Sequence, residues 1–144
     1  MEEAQTRRTS PVTPLTRQIG LGLAIGLFMF FWLSIMIATF NAQVCRASDT
    51  PPETKLRYCE RSEKYGGWMD FIPIERAKGS ILHLERGIAL TALGMENEAV
   101  ASFERAWKNA GAMSGPWRGN LMSRIAQEND IAIQQAWNKA LKTQ

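Results

Sequence analysis

The chain has 144 residues, 45% of them hydrophobic and 22% charged, with a net charge of +3 and a pI near 9.1. That length suits one ordinary domain, and the balance excludes a multidomain enzyme, a disordered chain and a long coiled coil. The average conceals a division: residues 19–40 are 22 consecutive positions without a charge, and the part after them carries 14 Lys/Arg against 12 Asp/Glu. So small an excess excludes nucleic acid as a natural partner.

Residues 1–18 read as a polar tail with Arg7, Arg8, Arg17, Pro11 and Pro14. The apolar run that follows, IGLGLAIGLFMFFWLSIMIATF, has only Ser34 and Thr39 as polar interruptions. As a helix it rises about 33 Å, close to the hydrocarbon thickness of a bilayer. A cleaved signal fits less well, because the run is too long and Phe40 stands where a cleavage site prefers a small residue. An uncleaved transmembrane anchor is the expectation. Lys and Arg are balanced on the two sides, with Arg46, Lys55 and Arg57 following the run, so orientation rests on other features. The short tail is easily left in the cytoplasm, and the only two cysteines lie together just beyond the run. Within the run, Gly22 and Gly26 form a small-xxx-small pair that admits a close helix neighbour.

Cys45 and Cys59 bracket a stretch in which Thr50, Pro51 and Glu53 read as a capped helix start. The helix is expected to end at Gly66-Gly67. A disulfide between the cysteines would pin the loop leaving the membrane to that helix, and it places the domain in an oxidising compartment. The spacing is wrong for a catalytic thiol pair, and two Cys with one His cannot complete a zinc site.

From Ser80 a helical pattern runs to Gly94, and a second, ENEAVASFERAWKNA, runs to Gly111. A shift of 34 residues brings Ile133, Trp137 and Ala140 onto Ala99, Phe103 and Ala106. A period of this length marks a helix-turn-helix repeat. Here the chain resembles the tetratricopeptide (TPR) repeat family. In the first unit, residues 80–113, Gly87, Leu90, Gly94, Ala99, Phe103 and Ala106 occupy signature positions. In the second, residues 114–144, Trp117, Ile133, Trp137 and Ala140 do so. The departures are His83 for Trp, Arg86 for Leu, Leu121 for a small residue and Glu128 for the turn Gly. Arrays of this kind usually need three or more units, so residues 51–73 or another protein must cover the exposed face.

The resemblance implies a concave binding groove lined by Ile81, Leu84, Ile88 and Thr91, then by Gly115, Arg118, Met122 and Ile125. It would be apolar, with Arg118 its one charge, and it lacks the residues that clamp a chaperone tail. Just upstream, residues 65–74 (YGGWMDFIPI) place Trp68, Met69, Phe71 and Ile72 between Gly and Pro breakers. Three readings stay open: the segment plugs the groove, rests at the membrane interface, or docks with the groove on a larger membrane protein.

Catalytic signatures are missing from the sequence. His83 is the single histidine and reads as a packed residue rather than a general base, and Asp70 with Glu75 lacks a third metal ligand. Glu60–Lys64 and Glu104–Lys108 read as pairs along exposed helix faces. No cofactor, metal or small-molecule substrate is expected, and no enzymatic activity.

The expected fold is all-α: a cytoplasmic tail (1–18), one transmembrane helix (19–40), a disulfide-braced linker and helix (41–79) and two TPR-like hairpins (80–144). The expected function is that of a non-enzymatic scaffold, an accessory or assembly subunit of a larger inner-membrane complex such as an electron-transfer complex. Its partners are integral membrane protein and the lipid bilayer, and its C-terminal domain is periplasmic in a bacterium. The alternative is a translocation or maturation factor that receives exported clients through the apolar groove.

Overall fold

A computed structural model describes residues 14–143, with the side chains of residues 14–17 left aside. Most of the expected cytoplasmic tail therefore lies outside the described residues. Within them the protein is all-α: α1 (Pro14–Arg46), α2 (Pro52–Gly66), a 3-10 turn (Gly67–Met69), α3 (Pro73–Ala92), α4 (Glu96–Ala110), α5 (Trp117–Ala126) and α6 (Ile131–Lys142). Two compact units meet between Leu33 and Ser34.

In the first unit, α1 carries the apolar run. From Gln18 to Leu33 every residue is exposed, on a helix that is hydrophobic all round. The stretch Gln18–Arg46 is long and apolar enough to cross a membrane.

The second unit opens with the last turns of α1 and is built from helical hairpins. α2 runs back along α1: Ser62 Oγ donates to the Ala38 carbonyl at 3.1 Å, and Cys45 and Cys59 are disulfide-bonded with their Cα atoms 5.0 Å apart. Ala38, Asn41 and Cys45, spaced three and four apart, form the buried stripe of α1 that faces it. α2 begins two residues after the expected Thr50 cap, because Pro52 supplies the pre-set φ of a first helical position. The Thr50 hydroxyl instead donates to the Val44 carbonyl at the end of α1, at 3.3 Å.

α3 starts at Pro73, seven residues before the expected Ser80. Gly79 lies inside the helix, where a Gly costs about 1 kcal/mol. Burial of Ala77 and Ser80 on either side offsets that cost. At the other end the expectation holds. Gly94 takes φ +74, Met95 N–H donates to Leu90 O and Gly94 N–H to Thr91 O, both at 2.9 Å. These two bonds close the helix as a Schellman motif.

α4 buries Ala99, Val100, Phe103, Ala106 and Ala110, the spacing of one helical face. Phe103, fully buried, lies against Gly87 of α3, where an added Cβ would sit 2.4 Å from the ring. That glycine sets how closely the two helices cross. α6 packs on α4 and α3 through Ile133, Ala136, Trp137 and Ala140. Asp130 caps α6, its carboxylate accepting from Ala132 N–H at 2.8 Å. Trp137 meets Phe103 and Trp107 edge to face, with ring centroids 5.6 and 6.0 Å apart. A single apolar core thus runs from α3 to α6, with Leu56 of α2 packed against it.

Candidate functional site

The structure closes the groove expected on the inner helices. Leu84 is fully buried, Ile88 and Ile125 are 8% and 6% exposed, and all three belong to the shared core. Ile81 is half-buried against that core. Thr91 is half-buried as well, and its hydroxyl donates to the Gly87 carbonyl. Met122 stays exposed, and Gly115 sits in the exposed turn before α5 with φ +149. Arg118 lines no groove: its guanidinium lies 4.5 Å from the centre of the Trp107 ring and fills the space beside Gly111. The correction has a simple cause. The two hairpins close on each other, with α3 packed against α4, α5 and α6, and Leu56 of α2 adds to the same cluster.

Charge holds this covered face together. Glu85 is 2% exposed; it accepts from Lys55 Nζ of α2 at 2.9 Å and from Arg124 Nε of α5 at 2.8 Å. Lys55 is itself 5% exposed, and Arg124 reaches on to Glu128. Burial alone would lower the Arg124 pKa, but Glu85 and then Glu128 outweigh it, so the guanidinium is more firmly charged than usual. Sequence reasoning missed this triad, since its members lie 30 and 39 positions from Glu85 and follow no local pattern.

Several other charges also pair across helices, while Lys78 and Glu75 pair along α3. Arg86 faces Glu60 and Glu63 at 3.7 and 3.8 Å, Arg105 reaches Glu63 at 2.8 Å, and Lys139 reaches Glu96 at 2.8 Å. Glu60 thus turns to α3 rather than along its own helix, and Glu104 accepts from the Thr143 hydroxyl of α6.

Where α1, α2 and α3 converge, a cleft of about 280 Å³ opens, lined among others by Ala38, Glu63, Asp70, His83 and Arg86. His83 is buried on the cleft wall, and its pKa is lowered to about 4. Burial is the main cause; Glu63 pulls the other way, and Arg105 and Arg86 add to the depression. The imidazole is therefore neutral at physiological pH. Asp70 is pushed above the ordinary carboxylate range by burial and by Glu63, against Arg76 and Arg105.

The segment at residues 65–74 does not enter the groove. Tyr65, Trp68, Phe71 and Ile74 are 38%, 44%, 71% and 41% exposed, and only Met69 and Ile72 of its large apolar residues are half-buried. Its backbone is nonetheless fixed: Asp70 N–H donates to Gly67 O, Ile72 N–H to Met69 O, and Arg76 Nε to the Asp70 carbonyl at 2.8 Å. The result is a held turn that displays aromatic side chains.

Gly22 and Gly26 have nothing within 4 Å of an added Cβ, so the helix surface there is flat and open. No family model matches the chain, and no curated protein or solved structure matches it either.

Proposed function

We propose that the protein is a non-enzymatic, membrane-anchored scaffold of the TPR kind, an accessory or assembly subunit of a larger integral membrane protein complex. In this reading α1 spans a bacterial inner membrane with its N-terminus in the cytoplasm, and the helical domain stands in the periplasm, where the Cys45–Cys59 bond is stable. The observation that carries the reading is the pairing of α2 with the last turns of α1, the helix that carries the apolar run. α1 continues unbroken to Arg46, and its last turns are hydrogen-bonded and cross-linked to α2. A chain that presents both a helix and a folded domain makes its second contact with a membrane neighbour at high effective concentration. A receptor that gathers loose clients is better served by an open groove. Burial of Leu84, Ile88 and Ile125 weighs against that alternative.

The test is to purify the tagged protein from native membranes in mild detergent and weigh the intact assembly by mass spectrometry. One or two larger membrane proteins at fixed ratio are expected. A lone monomer, or many substoichiometric clients, overturns the proposal.

A further inference from the structure

The exposed aromatic turn has a definite height on α1, and that height selects its partner. Ser62 bonds to the Ala38 carbonyl, and an added Cβ on Gly66 would lie 3.3 Å from the Ala38 Cβ. The last turn of α2 therefore stands beside Ala38, two residues inside the end of the apolar run at Phe40. Two helical residues rise about 3 Å, and the run as a whole exceeds a hydrocarbon core of roughly 30 Å by about the same amount. Centred on the bilayer, the run overhangs by about 1.5 Å at each end, so the Ala38 level lies within about 2 Å of the boundary between acyl chains and headgroups. α2 runs antiparallel to the last turns of α1 at that point, and residues 65–74 follow it directly.

Composition agrees with the height. Trp and Tyr favour this boundary because an apolar ring with one polar tip suits it. Tyr65, Trp68, Phe71 and Ile74 place four exposed large apolar groups within ten residues. Elsewhere on the second unit beyond α1, the exposed large apolar residues Met95, Met113, Met122 and Ile131 are scattered singly, as on any soluble surface. Lys64 and Arg76 are exposed beside the cluster, where lipid phosphates would meet them. The hydrogen bonds within the turn leave little unpaired backbone to carry into a drier medium.

We infer that residues 65–74 form a lipid-docking element whose Tyr65, Trp68, Phe71 and Ile74 side chains insert at the membrane interface and hold the domain against the bilayer. The inference rests on α1 being a membrane anchor, and its test separates the two. The photoreactive analogue p-benzoylphenylalanine replaces Phe71 in the full chain, reconstituted in nanodiscs of phosphatidylcholine and phosphatidylglycerol. Two controls carry it at Phe28, in the middle of the apolar run, and at Met95. Met95 is 39% exposed and follows the far end of the 20-residue α3. That puts it about 30 Å along the helix from the turn. Illumination and mass spectrometry are expected to find acyl-chain adducts at positions 28 and 71 and none at 95. Adducts at 28 without any at 71 overturn the docking element and leave the anchor standing. Adducts at none of the positions overturn both, and equal adducts at 71 and 95 show unspecific contact and overturn the docking element. In native membranes, a position-71 cross-link to protein instead of lipid also overturns it, because the cluster is then a protein interface.

Discussion

Two side chains show how local chemistry sets the tolerances of this domain. At Gly87 there is room for a hydrogen and nothing more, since Phe103 fills the space an added Cβ would take. Gly87→Ala is expected to cost about 2 kcal/mol through overpacking, read as a lower urea midpoint for the full chain in detergent. His83 sets a pH limit. Its pKa is near 6.5 when unfolded and about 4 when folded, so between those values the unfolded chain binds the extra proton. Its contribution is complete above pH 6.5 and is lost as pH falls to about 4, a gap worth about 3 kcal/mol. His83→Gln is expected to flatten the stability profile across that window, and an unchanged slope would mean another group is responsible.

At the scale of elements, α2 joins the last turns of α1 to α3, and two kinds of bond secure it. Replacing both Cys45 and Cys59 by Ala releases the loop they close and is expected to lower stability by roughly 3 kcal/mol in the chain-entropy model. Thermal melts of the oxidised and reduced wild-type protein should differ in the same direction. The Glu85 triad is the other bond. Glu85→Ala leaves Lys55 buried without its counter-charge, at an expected cost of about 4 kcal/mol. Adding Lys55→Met should recover part of that loss, and failure to recover would show that the carboxylate acts by packing alone.

Taken whole, the molecule was legible in sequence where one helix speaks for itself. The apolar run, the Gly94 and Gly111 stops, the cysteine pair and the inward faces of α4 and α6 all follow from local periodicity or backbone chemistry. What escaped depends on neighbours. Leu84, Ile88 and Ile125 have the spacing of a groove, and only the packing of α3, α4, α5 and α6 into one cluster makes them core. The start of α3 at Pro73 rather than Ser80 depends on the burial of Ala77 and Ser80 around Gly79. Tyr65, Trp68, Phe71 and Ile74 form an evident cluster in sequence, but their height on α1 is set by Ser62 and Gly66 meeting Ala38.

Stacked helical hairpins ordinarily fray from their ends, because each contacts only the next. The carboxylate of Glu85 changes that here, since Lys55 arrives from the hairpin before it and Arg124 from the hairpin after it. An outer hairpin that opens strips a counter-charge from a buried group, so opening at either end weakens the middle at once. Amide exchange should then report one cooperative unit, with α2, α4 and α5 opening together, instead of a gradient of protection rising toward the centre.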